Sequence, residues 1–152
     1  MKIYIGCDHA AFEEKEELKS YLVEAGHEVE DCGPFDGERV NYPDYAEKVA
    51  KKVAYQDVNE VRGVLLCGSG IGVSMVANRF AGARAALCRT VEDSKLSRGH
   101  NNANILCVGA RLTPLELIKE MSSVWLSTPF EEGRHSERIA LFNDLGEKVQ
   151  CK

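Results

Sequence analysis

The chemistry legible in this chain concentrates where Cys67 is followed by Gly68-Ser69-Gly70-Ile71-Gly72. Closely spaced glycines let a backbone approach a ligand and turn several N–H groups toward it. The apolar run GVLL precedes this loop, and a helical pattern through Met75, Val76 and Phe80 follows it. A helix N-terminus therefore adds its positive dipole end to the same spot. An anion suits it, either a phosphate or an enediolate formed during a reaction. The dinucleotide fingerprint is G-x-G-x-x-G after a first strand, whereas here the spacing is G-x-G-x-G after a third. A cysteine-phosphatase loop would want Arg where Val73 stands. Two readings stay open for the loop, an anion cradle and a plain glycine-rich turn. Cys67 is equally divided. Beside oriented amides a thiol becomes available as a thiolate base; within an apolar run it is a small buried hydrophobe.

Four further places carry groups that could join such a site. Asp8-His9 directly follows the first apolar run, where Asp8 is either a ligand contact or the cap of the next helix. His100-Asn101-Asn102-Ala103-Asn104 precedes the last run and reads as a proton-exchanging, hydroxyl-holding segment or as an ordinary polar loop. Arg111 follows that run. Arg134 and Arg138 are four residues apart at a helix start, which suits a surface ion-pairing face or a bidentate phosphate clamp. His27, next to Gly26 in a turn, is expected to be solvated surface.

Positioning these groups falls to short apolar runs that alternate with helical patterns. The runs are Lys2–Gly6, Glu28–Asp31, Gly63–Leu66, Arg84–Cys88 and Ile105–Gly109. GVLLC, RAALC and ILCVG lack polar alternation, as parallel strands covered on both faces do. Tyr42, Tyr45, Ala46, Val49, Ala50 and Val53 form one helical stripe, and Phe12, Leu18, Tyr21, Leu22 and Ala25 another, stopped at Gly26. Thr113 is expected to cap a helix with Pro114 at N1 and Glu116 at N3, burying Leu115, Ile118, Met121 and Trp125. A last helix would carry Ile139, Phe142, Leu145 and Val149. The series predicts one domain over residues 1–152, a three-layer, doubly wound, Rossmann-like α/β fold with a five-stranded parallel sheet. Ligands of such sheets bind at the carboxyl ends of the strands. That selects Cys7–His9, Cys32–Tyr42, Cys67–Gly72, Cys88–Thr90 and Gly109–Arg111.

Composition narrows the function classes. A chain of 152 residues buries about two-thirds of its unfolded surface and needs no disulfide or structural metal. A net charge of −5 argues against a nucleic-acid binder, though not against an anionic small molecule met by a local Arg cluster. The six cysteines include no C-x₂₋₄-C pair, so no zinc knuckle is read. The start MKIYIGCDHA lacks a signal-peptide stretch and no later run could span a bilayer, so a soluble cytosolic protein is expected.

Taken together, GCDHAAF (6–12), YPDYA (42–46), CGSGIGVSMVANRFAGARAALC (67–88), SRGHNNANILCVGAR (97–111) and GRHSER (133–138) resemble the ribose-5-phosphate isomerase B family. That family also contains galactose-6-phosphate isomerase subunits. The resemblance implies an aldose–ketose isomerase of pentose phosphate metabolism that interconverts ribose 5-phosphate and ribulose 5-phosphate through an enediolate, without metal or cofactor. It implies a homodimer, with a tetramer left open, and an active site shared across the interface. By the same resemblance Cys67 is the base between C1 and C2. The amides of Gly68, Gly70, Ile71 and Gly72, with Ser69, hold the enediolate. His100 and Asp8 open the furanose; His9, Arg134 and Arg138 bind phosphate; Tyr42, Asn101 and Arg111 orient the sugar. His100, Asn101 and Arg111 are expected from the partner subunit. Val73 stands where another branch of the family has a Glu base, which places this chain with the Cys-base branch. Asn41 and Glu132 depart from the usual Asp and Gly. Isomerisation of a hexose 6-phosphate (galactose or allose) is the alternative reading; a non-catalytic sugar-phosphate binding module is a further one.

Overall fold

The computed structural model describes residues 1–144. Five strands, β1 (Lys2–Cys7), β2 (Glu28–Asp31), β3 (Val61–Cys67), β4 (Ala85–Leu87) and β5 (Ile105–Gly109), form one parallel sheet in the order β2-β1-β3-β5-β4. Helices α1 (Phe12–Glu24), α2 (Tyr42–Val53), α3 (Ile71–Ala77), α4 (Val91–Gly99), α5 (Leu115–Ser127) and α6 (Arg134–Ala140) connect or follow them. The chain moves outward from β1 to β2, then crosses back to β3 on the other side. The reversal leaves a crevice between the carboxyl ends of β1 and β3, the ligand position of a doubly wound sheet.

Alternation along the strands makes two cores. Ile3, Ile5, Val64, Leu66, Leu106 and Val108 face Leu18, Leu22, Ile118, Met121 and Trp125. Leu65, Cys67, Ile105 and Cys107 face Ala46, Val49, Ala50, Val53, Val73 and Ala77. Of the expected stripe of α2, Ala46, Val49, Ala50 and Val53 are buried, whereas Tyr45 is half-buried and Tyr42 exposed. Both faces of the central strands are covered, which is why their sequences lack polar alternation. No helix among the described residues is long and apolar enough to cross a membrane.

Several boundaries differ from the sequence expectation. β3 begins earlier and ends on Cys67 itself, so the thiol belongs to the last strand residue rather than to the loop. β4 is only three residues long. Pro114 is the N-cap of α5 and not its first helical residue, because its ψ of 145° is extended while its carbonyl accepts the first bond of the helix, from Ile118 N–H at 3.0 Å. The last helix ends at Ala140 and passes into a 3-10 turn, Leu141–Asp144; Leu145 and Val149 lie outside the described residues. His27 is half-buried rather than solvated.

Two buried cationic arrangements fix the layers. Lys15 Nζ, fully buried, donates to both oxygens of Asp31 at 3.0 and 2.8 Å and to the Pro34 carbonyl at 2.6 Å. Burial alone would raise the Asp31 carboxyl, but the hydrogen bonds from Lys15 and the Gly33 amide hold it below its ordinary value. The clamp ties the start of the 32–41 loop to α1. Arg62 and Arg98 flank the buried Trp125, with guanidinium carbons 5.3 and 5.8 Å from its ring. Arg62 donates to the Trp125 and Leu126 carbonyls at 2.9 Å, and Arg98 to the Asn102 side chain at 2.9 Å. Carbonyl oxygens receive the Arg62 group, whereas Arg98 donates through one terminal nitrogen and its buried Nε has no partner among the described residues. Both lie at the end of the sheet opposite Cys67.

Candidate active site

Cys67 closes β3 with its side chain 4% exposed. The chain then turns through Gly68, Ser69 and Gly70, whose φ of 75° is left-handed and so demands glycine. A side chain at Gly70 would also meet the Val108 carbonyl carbon at 2.8 Å. This turn brings the Gly70 N–H back onto the Cys67 sulfur at 3.0 Å and starts α3 at Ile71. Ser69 Oγ lies 3.4 Å from the Ile71 amide. On the far side of the turn, Gly109 pairs with Cys67 across the sheet; a Cβ there would sit 2.6 Å from the Ser69 backbone. The cradle therefore packs on β5 without any intervening side chain.

The other cysteines of the described chain are buried thiols. Burial pushes Cys7 up to about 12 and Cys32 up to about 11, and raises Cys88 and Cys107 as well. Among them only Cys67 has a backbone N–H aimed at its sulfur. Cys151 lies outside the described residues.

A cavity of about 410 Å³ opens above the cradle, lined by Asp8, His9, Tyr42, Cys67, Gly68, Ser69, Gly72 and Arg111, with Ala10 and Leu112. Asp8 takes the capping role and also borders the cavity. One carboxylate oxygen caps the short 3-10 turn His9–Ala11 by accepting from Ala10 N–H at 2.9 Å. His9 Nδ1 lies 3.2 Å from the Val40 carbonyl, joining the first strand end to the 32–41 loop. Tyr42, at the start of α2, covers Gly72, where a Cβ would approach the phenol ring to 2.7 Å.

Arg111 corrects one expectation. Its side chain lies over Gly68 of its own chain, 3.3 Å from a would-be Cβ there, and its amide donates to the Gly68 carbonyl at 3.1 Å. It reaches this cavity in the same subunit because β5 and β3 are neighbours and end together.

His100, Asn101, Arg134 and Arg138 do not line this cavity. His100 caps the C-terminus of α4, stacked on His135 with ring centroids 4.4 Å apart. Asn101 borders a separate cavity of about 250 Å³ along β4, with Arg84, Ser97 and Phe142. Asn102 and Asn104 are structural: Asn102 accepts from Arg98, and Asn104 accepts from the Arg84 amide and donates to the Gly82 carbonyl. Arg134 and Arg138 are exposed one turn apart on α6, and among the described residues no carboxylate pairs with either. The Cys88–Thr90 strand end is likewise absent from the cavity. Thr90 there forms a capping box with Asp93 that opens α4. Sequence reasoning passed over Glu131 and His135, which contact His100, and Gly99, which makes room for Glu131. Desolvation, and then His100, lowers His135.

Fold and site together define a doubly wound α/β protein whose switch-point crevice holds a glycine-rich turn at the start of a helix, a thiol and the adjacent Asp8 and His9. The family model for ribose/galactose isomerases matches residues 3–142. The chain is 46% identical over 138 residues to ribose-5-phosphate isomerase B of Escherichia coli, covering 91% of each. It is 37% identical to the galactose-6-phosphate isomerase subunit LacB of Clostridium acetobutylicum, covering 91% of this chain and 79% of that one. Among solved structures, a ribose 5-phosphate isomerase from Thermotoga maritima superposes with a TM-score of 0.88 at 49% identity, covering 95% of this chain and 98% of that one. The chain belongs to the ribose/galactose isomerase family.

Proposed function

We propose that this protein interconverts ribose 5-phosphate and ribulose 5-phosphate, with Cys67 as the base. The observation that carries the reading is the Cys67 sulfur held under the Gly70 amide at 3.0 Å, at the floor of a cavity with Asp8, Ser69 and Arg111 around it. Isomerisation needs a base near C2, stabilisation of the enediolate oxygens, and acid–base groups for ring opening. Cys67 takes the C2 proton of the open-chain aldose and returns it to C1, while the hydroxyl proton passes from O2 to O1. The negative charge that develops in between falls on oxygens facing the Ser69 hydroxyl and the loop amides of Gly68, Ile71 and Gly72. The Gly70 N–H, which donates to the Cys67 sulfur, is released to join them once the thiolate has taken the proton. One such donor lowers the barrier by ~3–4 kcal/mol. Arg111 and Tyr42 orient the sugar, and no metal is called for.

One subunit holds half of this machinery. His100 and Asn101, with Arg134 and Arg138, stand outside the Cys67 cavity, so in this reading they enter it from a second copy in a homodimer. His100 then opens the furanose with Asp8, and the two arginines bind phosphate with His9. The free buried thiols of the described residues suit a reducing compartment, hence the cytoplasm.

The substrate is tested with the purified chain on ribose 5-phosphate, allose 6-phosphate and galactose 6-phosphate side by side. The highest kcat/KM is expected for ribose 5-phosphate. A hexose phosphate turned over more efficiently would transfer the assignment to the six-carbon branch.

A further inference from the structure

His100 ends α4, and the segment entering α6 holds its imidazole from two directions. Against its face lies His135, 7% exposed, with ring planes 7° from parallel. Beside its edge, Glu131 Oε2 stands 3.4 Å from His100 Nε2 and 3.9 Å from His135 Nε2. Glu131 is itself anchored, because its backbone N–H donates to the Gly99 carbonyl at 3.0 Å. Its carboxylate lies over Gly99, where a Cβ would come within 2.8 Å of Oε1. The missing side chain at position 99 therefore gives the carboxylate its place next to the neighbouring imidazole.

Two histidines and a carboxylate whose ligand atoms lie within 4.8 Å of one another also raise a metal centre. The ring geometry argues otherwise. Imidazole lone pairs lie in the ring plane, and in nearly parallel rings they run side by side. A zinc ion about 2.0–2.1 Å from both nitrogens would require the rings to splay apart. The cluster has the form of an orienting device.

We propose that Glu131 is the positioning residue for His100 in ring opening. The inference rests on the ring-opening role given to His100 above. A carboxylate beside Nε2 favours the tautomer with its proton there and leaves Nδ1 bare. Ring opening breaks the C1–O4 bond, removes the proton of the C1 hydroxyl and places a proton on O4, with no net change. Nδ1 of a neutral His100 takes the first proton and, as imidazolium, delivers it to O4. Glu131 stabilises that imidazolium and holds the ring on its His135 platform, the part a carboxylate plays behind a catalytic histidine.

The test compares Glu131→Gln with the wild type on ribose 5-phosphate and on erythrose 4-phosphate. The tetrose phosphate has its C4 hydroxyl esterified, cannot close a furanose and needs no ring opening. Glu131→Gln is expected to lower kcat/KM at least about 10-fold on ribose 5-phosphate. The loss on erythrose 4-phosphate should stay within about 2-fold. Glu131 is exposed, so Tm should hold. Gly99→Ala, whose methyl would push the carboxylate away without altering charge, should reproduce the ribose 5-phosphate defect. Independently of any rate, the imidazole ¹⁵N resonances of His100 should show the Nε2–H tautomer in the wild type and lose that preference in Glu131→Gln. Equal losses on both sugars, or an unchanged tautomer, would overturn the proposal. A wild-type protein inactive on ribose 5-phosphate would instead overturn the functional reading beneath it.

Discussion

At the scale of single residues, the hydrogen bond from Gly70 to the Cys67 sulfur separates this thiol from its buried neighbours. Cys67→Ala should abolish isomerisation, to below about one-hundredth of the wild-type kcat, since a positioned acid–base group contributes 10²–10⁴-fold. Phosphate should still bind, because the groups assigned to it lie elsewhere; near-normal turnover in the mutant would remove Cys67 from the mechanism. Arg138 is the counterpart on the binding side. A charge-assisted phosphate contact is worth ~1.5–3 kcal/mol, an exposed ion pair ~0–1 kcal/mol. Arg138→Ala should therefore cost at least ~10-fold in kcat/KM on ribose 5-phosphate and much less on unphosphorylated ribose. Equal fractional losses would contradict a phosphate contact. Cys67, Asp8 and Arg111 could be placed at the cavity from the sequence because each ends an apolar run or lies within two residues of its end, although the subunit of Arg111 could not. Glu131 and His135 were not legible there, because their significance lies in contacts with His100 across more than thirty residues of chain, and no spacing rule registers that.

At the scale of elements, strand ends decide function, and two of them make opposite predictions. Gly109→Ala would drive a methyl into the Ser69 backbone, which cannot rotate away as a side chain can. It should destabilise the protein by ~1–3 kcal/mol and cut kcat/KM by more than ~10-fold as the cradle shifts. Thr90 sits at a strand end that the sequence also marked as a ligand position, but its hydroxyl accepts from the Asp93 amide at 3.0 Å. Thr90→Ala should cost ~1 kcal/mol and about 2–4 °C in Tm while leaving kcat/KM unchanged. Thermal unfolding and steady-state kinetics on the two variants check both. The five strands and the helical stripes could be read because burial on both faces imposes continuous apolar runs. The α5 boundary was displaced by one residue because the fixed φ of Pro114 suits N1, whereas its extended ψ of 145°, which no residue type announces, leaves it just outside the helix.

At the scale of the whole molecule, the division of labour between Cys67 and His100 becomes a question of assembly. If each site takes its thiol from one chain and its imidazole from another, the inactive Cys67→Ala and His100→Ala proteins should rescue each other. Mixed, unfolded and refolded together in equal amounts, they should recover about a quarter of wild-type activity. Half of the dimers are then mixed, and one of the two sites in each is intact. No recovery, with mixed dimers demonstrated, would confine the site to one chain. Such mixing needs a signal for folding that ignores catalysis, and the molecule carries one. Trp125 is the chain's single tryptophan, fully buried and flanked by Arg62 and Arg98 at the end of the sheet away from Cys67. Shielded from water, its indole should emit at short wavelength, and the flanking cations should dim it. Melting the packing of α5 should then shift the emission to the red, whereas sugar phosphate arriving at the opposite end should leave the spectrum unchanged.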